Sequence, residues 1–267
     1  MSCIEFVSML YTIPGTLMRA TVVKRPSAAI KSPYVADIRL DNGQVGLCHT
    51  PGLGCCGLVE AGRTIYVTAG RAGSKTAFTT HLAECNDETG LYYVGIHPMV
   101  SNSAARGLLS TISDEATWAS EVVVDDHTRL DYVGTLPNGK KIYVEVKTAM
   151  VSKQCTVGRA GRRAIFPEGY RKSMKETISP RAVKHAETLA GLMKKEDTEA
   201  CVLIFLVPRS DCNAGMDVNP NDETYYTAVS AAAAAGVQVR AFALTYSLDG
   251  VVGLDKEVPV YLPPRRL

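Results

Sequence analysis

Three side chains on one short alternating stretch carry the most distinctive chemistry of this sequence. In Ile142-Tyr143-Val144-Glu145-Val146-Lys147, successive side chains of an extended strand point to opposite faces. Ile142, Val144 and Val146 face one way, and Tyr143, Glu145 and Lys147 the other. In the preceding segment, Thr128-Arg129-Leu130-Asp131-Tyr132-Val133, Asp131 points away from the face of Leu130 and Tyr132. Pro137-Asn138-Gly139 reads as a three-residue hairpin loop, and folding about it sets Asp131 directly across from Glu145. Such cross-strand pairs have Cβ atoms about 4.5–5.5 Å apart. Two carboxylates that close repel each other, and a divalent cation, Mg2+ or Mn2+, resolves the conflict. Mg2+ is commonly held by one or two carboxylates together with waters and substrate phosphate. Lys147 then stands where it can stabilise charge on a phosphate or orient an attacking water. Asp and Glu with thirteen residues between them, and Lys two beyond the Glu, form on a hairpin an arrangement of metal-dependent phosphodiester hydrolysis. The bland alternative is a solvated strand face with polar residues on it.

The chain that follows is basic. Residues 153–184 hold nine basic residues (among them Arg159, Arg162, Arg163, Arg181 and Lys184) against Glu168 and Glu176, a net +7. The 267-residue chain as a whole has 29 Lys and Arg against 27 Asp and Glu, so the other 235 residues carry −5. With Gly158, Gly161 and Gly169, much of this segment reads as a flexible basic loop leading into a helix. Ser179 as N-cap and Pro180 at the first helical position start that helix, expected over 180–195. Val183, Ala186, Leu189, Ala190 and Met193 form its apolar stripe. Arg181, Lys184 and His185 share one face at i, i+3 and i+4. A basic loop and helix face beside an acidic hairpin suit a polyanion, with DNA the leading partner.

The elements that must position these groups divide the chain by texture. Residues 20–98 read as short strands (21–25, 34–40, 44–49, 64–69, 76–85 and 91–96) punctuated by turns such as Asp41-Asn42-Gly43. That spacing predicts a small antiparallel barrel or sandwich. Beyond it, a helix is expected over 102–119, ending near Trp118, and then the hairpin strands 129–135 and 141–148. The helix of 180–195 is followed by a buried strand at 200–207. A helix capped by Asn219 and stopped by Gly236, and a strand at 237–245, complete a βαβ unit. Residues 259–267 read as an irregular tail.

Apolar residues at 46% and charged residues at 21% exclude a disordered, collagenous or long coiled-coil chain. The longest apolar run, Ala200 to Val207, is far below the roughly 20 residues of a spanning helix, so no membrane partner is expected. The N-terminus lacks a secretory n-region, although its few basic residues faintly resemble a transit peptide. Eight scattered cysteines read as reduced thiols of an intracellular protein, cytoplasmic or associated with nucleoid or nucleus. Gly52-Leu53-Gly54-Cys55-Cys56-Gly57 matches a dinucleotide fingerprint in letters only, because a turn and a strand follow it instead of a helix. Cys48, His49, Cys55, Cys56, His81 and Cys85 match no closed zinc module.

Taken in order, several segments resemble the sugar fermentation stimulation protein family. Lys24-Arg25 with the later Tyr34 looks like that family's basic opening strand. Val94-Gly95-Ile96 with Asn102 resembles V-G-V…N, Ser120-Glu121-Val122 resembles R-E-V, and Thr128-Arg129-Leu130-Asp131-Tyr132 resembles S-R-x-D-F. Val144-Glu145-Val146-Lys147 is similar to V-E-V-K, Phe166-Pro167-Glu168 to F-P-D, and Arg181-Ala182-Val183-Lys184-His185 to R-G-x-K-H. Two departures stand out: His49-Thr50-Pro51-Gly52-Leu53-Gly54 lacks the Asn-Thr pair of H-x-P-N-T-G, and the chain before Arg181 is lengthened.

The resemblance implies an α/β (α+β overall) chain. An N-terminal OB-like β-barrel (15–98), with a nucleic-acid-binding role, precedes a mixed-sheet α/β domain of the PD-(D/E)XK nuclease type (99–258). It further implies that Asp131, Glu145 and the Val146 carbonyl hold the metal and that Lys147 is the catalytic lysine. Glu121 would be an additional acidic catalytic residue. Lys24, Arg25, Arg129, Arg159, Arg162, Arg163, Arg181, Lys184 and His185 would contact nucleic acid. The leading expectation is a DNA-binding protein with a metal-dependent nuclease site. The alternatives are a non-enzymatic DNA-binding or regulatory protein on a nuclease scaffold, and a barrel that binds a small molecule or partner protein. The sequence leaves oligomeric state open, a homodimer being compatible with it.

Overall fold

The computed structural model describes residues 8–52, 55–87, 90–125, 128–154, 161–169 and 176–262. The chain forms two units. The first joins Met1–Gly107 to Pro208–Asp211 and Ala243–Lys256; the second comprises Leu108–Val207, Cys212–Phe242 and Glu257–Leu267.

The first unit begins with β1 (Ser8–Thr12), β2 (Met18–Lys24), β3 (Val35–Leu40), β4 (Val45–His49), β5 (Thr64–Ala69), β6 (Phe78–Asp87), β7 (Gly90–Gly95) and α1 (Pro98–Gly107). Strands β2 to β7 form a sheet ordered β4-β3-β2-β5-β6-β7. β4 also pairs in parallel with β6 through Cys48↔Phe78 and His49↔Thr79. That pairing closes β2 to β6 into a ring-like partial barrel, the barrel form of the barrel or sandwich expected from the strand spacing. Ala20 with Val22 and Ile65 with Val67 point inward at alternate positions, all at most 1% exposed, as a half-buried strand requires. The β3–β4 turn is made by Gly43, whose φ of +87° suits glycine, and by Asn42 Oδ1 accepting from the Gln44 amide at 2.9 Å.

Cys48, Cys55 and His81 are buried within the barrel. Cys48 Sγ meets Thr80 Oγ1 at 3.1 Å, and Cys55 donates to the Gly52 carbonyl at 3.1 Å. His81 bonds Thr68 Oγ1 at 2.9 Å and stacks on His97 with ring centroids 5.2 Å apart. Among the described residues, no group of three or more His, Cys, Asp or Glu is arranged to hold a metal ion, and no cysteine forms a disulfide.

The second unit contains β8 (Thr117–Asp125), β9 (Thr128–Thr135), β10 (Lys141–Thr148), β11 (Val151–Gln154), β12 (Arg162–Phe166), α2 (Pro180–Leu192), β13 (Thr198–Val207), β14 (Gly215–Val218) and α3 (Glu223–Ala234). β15 (Gln238–Tyr246) starts in this unit and ends in the first. β16 (Val251–Val258) pairs antiparallel with β1, and β17 (Val260–Tyr261) joins a small sheet ordered β11-β12-β14-β17. The main sheet of the second unit runs β15-β13-β10-β9-β8. β10 is antiparallel to β9 and parallel to β13, with α2 in the crossover. Among the described residues no helix is long and apolar enough to cross a membrane.

Several elements differ from the sequence-based expectation. The helix expected over 102–119 ends at Gly107, and Thr117–Asp125 is an edge strand with Trp118 on it. A Cβ at Gly107 would lie 3.0 Å from the Leu10 backbone, and the β-branched run Val122-Val123-Val124 favours extended chain. Asp222, not Asn219, caps α3, accepting from the Tyr225 amide at 3.1 Å. The expected flexible basic loop is in part the β11–β12 hairpin, with Lys153 opposite Arg163. Arg159 lies outside the described residues.

Candidate functional site

The β9–β10 hairpin has the register its loop predicts. Leu136 donates to the Lys140 carbonyl, and Gly139 to that of Leu136, both at 2.9 Å. Gly139 takes φ +84°. Ile142 pairs with Gly134 and Val144 with Tyr132, so the next positions along the two strands are Glu145 and Asp131. The ladder is replaced there by a side chain: the Val146 amide donates to Asp131 Oδ2 at 2.7 Å. Because β10 is flanked on both sides, Ile142 to Val146 are all buried; the polar face is not a solvated one.

Glu145 is 2% exposed. Its Oε1 accepts from Lys147 Nζ and contacts His185 Nδ1. Lys147 Nζ lies 3.2 Å from that same Nδ1. α2 brings His185 here from the apolar stripe that also buries Ala182, Val183, Ala186 and Leu189. Ser179 caps the helix by accepting from the Ala182 amide at 3.4 Å. Glu145 Oε2 is buried without a hydrogen-bond partner.

The two carboxylates are pushed in opposite directions. Burial, followed by the Glu145 charge, raises Asp131 to about 6 despite the Val146 amide. Burial would also raise Glu145, but His185 and Lys147 outweigh it and hold the group below the ordinary carboxylate value. Glu145 is therefore the ionised member of the pair, and Asp131 the one that resists charge.

The remaining predicted residues scatter in role. Glu121 sits on edge strand β8 with φ +56°, and its Oε2 accepts from Arg129 Nε at 2.8 Å with both side chains over half exposed. It still adds to the charge that raises Asp131. Arg181 and Lys184 are exposed on α2, while His185 is 3% exposed. His185 is thus a partner of Glu145 and Lys147 in this structure, with Arg181 Nε donating to its Nε2 at 3.4 Å. Arg163 and Lys153 are tied to buried Asp217, at 3.3 and 2.7 Å, and the Arg163 guanidinium lies 3.7 Å from the Tyr261 ring centroid. In the barrel, Lys24 is exposed. Arg25 donates to the Pro33 carbonyl at 2.7 Å and to that of Gly52 through Nη2, bracing two loops.

One neighbour has no counterpart in the sequence motifs. Tyr225 on α3 is fully buried, its hydroxyl has no hydrogen-bond partner, and the Glu145 charge reaches it. Its only signal in the sequence is a tyrosine on the apolar side of a helix.

Comparison with known proteins agrees with this architecture. The structure of Pyrococcus furiosus SfsA in complex with Ca2+ superposes with a TM-score of 0.72 at 20% identity, covering 95% of this chain and 99% of that one. A "Sugar fermentation stimulation protein homolog" of Synechococcus elongatus is 28% identical over 249 residues, 91% of this chain and 94% of its own. Another, from Halorhodospira halophila, is 30% identical over 228 residues, 82% of this chain and 87% of its own. The family model described as "Sugar fermentation stimulation protein RE domain" matches residues 97–250, which include the whole Asp131–Glu145–Lys147–His185 cluster, and the chain therefore belongs to the sugar fermentation stimulation protein family.

Proposed function

We propose that this chain binds nucleic acid, DNA foremost, and hydrolyses phosphodiester bonds at the β9–β10 hairpin with Mg2+ or Mn2+. The observation that carries the reading is the pair of adjacent carboxylates, one with a buried oxygen lacking any partner, Glu145 Oε2. A buried acceptor left unmade is costly, and a hard cation that takes one or two carboxylates fits this donor set. The Pyrococcus furiosus protein of the same fold was solved in complex with Ca2+, which supports divalent-cation binding. Asp131, Glu145 and the Val146 carbonyl would hold it. When bound, the ion supplies charge neutralisation on the phosphate and a lowered pKa for its water. Lys147, with its side chain 14% exposed, offers Nζ to a phosphate oxygen or to the water. His185 fixes Glu145 and Lys147 from the helix side. Arg129, Arg181 and Lys184 offer exposed charge to the backbone, and Glu121 modulates the site through Asp131.

A second reading, binding without cleavage, is favoured by one observation: Glu145 Oε1 is already engaged by Lys147 and His185. The two are separated by a panel of DNA and RNA substrates with Mg2+ and with Mn2+. Wild type is expected to cleave, and Glu145→Ala and Lys147→Ala to bind without cleaving. Cleavage that survives both substitutions overturns the assignment. Wild-type binding with no cleavage in any metal selects the second reading.

A further inference from the structure

Two buried polar atoms on the covered face of β10 lack partners, and they belong to residues that sequence motifs do not connect. β10 and β13 run parallel with Glu145 beside Leu203 and Lys147 beside Phe205. Laterally paired residues point to the same side of a sheet, so Phe205 shares the face of Glu145 and Lys147. The Phe166 ring packs on Phe205 at 5.7 Å, and the Tyr225 ring meets Phe166 edge-on at 5.4 Å. Tyr225 is thereby carried by α3 onto the side of the sheet where α2 places His185 against Glu145. Its backbone is fixed by the Asp222 cap, and Asp222 also accepts from Thr177 Oγ1 at 2.9 Å and the Ile178 amide at 2.6 Å. A tyrosine so fully enclosed normally satisfies its hydroxyl. Here the Tyr225 hydroxyl and Glu145 Oε2 both lack a partner within bonding distance. Burial, and after it the Glu145 charge, pushes the Tyr225 phenol well above its ordinary value.

We propose that Tyr225 is a positioning residue for Glu145, its hydroxyl holding Oε2 through one buried water so that this oxygen is oriented to receive a divalent cation. The inference rests on the metal-site reading of the hairpin. A water between two such atoms gains partners from both, and it leaves the tyrosine out of contact with substrate. Outer groups that orient a ligating carboxylate commonly change metal affinity about 10- to 100-fold when removed.

The test is Mn2+ titration calorimetry on the full chain, comparing wild type, Tyr225→Phe and, as control, Tyr226→Phe, with metal-free thermal unfolding of each. Tyr225→Phe is expected to bind Mn2+ at least about tenfold more weakly while still unfolding in a single cooperative transition, melting somewhat below wild type because the buried water and Glu145 Oε2 lose a partner. Tyr226→Phe is expected to match wild type in affinity. Equal Mn2+ affinity in Tyr225→Phe and wild type overturns the role of Tyr225 and leaves the metal site standing. Wild type that binds no Mn2+ overturns both. A metal-free crystal structure should show the water between the hydroxyl and Oε2; a dry gap there also overturns the proposal.

Discussion

Glu145 gains Lys147 and His185 at a single oxygen, whereas Asp131 accepts from the Val146 amide, feels the Lys147 charge more weakly and faces the Glu145 charge. In the metal-free protein the half-buried Asp131 is therefore a liability at neutral pH. Asp131→Asn keeps an oxygen for the Val146 amide and removes the charge. At pH 7.5 it should unfold in denaturant with a stability about 1–3 kcal/mol higher than wild type, the range a pKa near 6 implies. It should also lose the thermal stabilisation that wild type gains on adding Mn2+. A variant less stable than wild type without metal would contradict this. This pairing was legible because it is local: the loop Pro137-Asn138-Gly139 sets the register, and alternation does the rest. His185 was visible as one face of a helix, but its burial against Glu145 was not, because helical spacing does not say which face meets the sheet. Tyr225 comes from a different helix and had no spacing to betray it.

At the scale of elements, the strands of the barrel were legible from β-branched runs and turns, and β5 and β10 have the limits expected. The edge strand β8 was not, since alanines and serines around Trp118 suit a helix as well as a strand. Gly95, in the Val94-Gly95-Ile96 motif, has a reason invisible in the sequence: a Cβ there would meet Tyr246 Oη at 2.3 Å. The barrel also contains a pH-sensitive junction between β5, β6 and the turn after β7. His81 is buried against Thr68 and His97, and burial first, then His97, lowers it to about 4; His97 is lowered as well, by burial and by His49. A histidine depressed in the folded state binds fewer protons there than in the unfolded chain. Stability is accordingly whole above pH 6.5 and falls as pH drops towards 4, by at most about 3 kcal/mol from His81. Denaturant unfolding at pH 7 and pH 4.5 should show this loss, and His81→Gln should shrink it to the share of His97. An unchanged loss in His81→Gln would assign the acid sensitivity elsewhere.

Over the whole molecule, a charge of +2 hides a segment at +7 between residues 153 and 184, and among its described residues the fold sets two kinds of cation apart. Lys153 and Arg163 are anchored to Asp217, whose side chain is 4% exposed, so they hold the small sheet together. Arg181 and Lys184 stand exposed one turn apart on α2, beside the helix position that delivers His185 to Glu145. Composition alone could not make this division, because the buried partner Asp217 lies far along the chain. If α2 grips a nucleic-acid backbone, each of its phosphate contacts releases counterions, with a slope of about 0.9 per contact in log affinity against log salt for duplex DNA. Arg181→Ala with Lys184→Ala should then flatten the salt dependence of DNA binding by about 1 to 2 in that slope. Arg163→Ala should do the reverse, lowering the melting temperature because buried Asp217 loses a paired cation, while the slope holds. Fluorescence anisotropy with a labelled duplex over a range of salt, read beside a melting curve for each variant, measures both. A slope that drops with Arg163→Ala and not with the α2 pair would move the nucleic-acid surface from the helix to the β11–β12 hairpin.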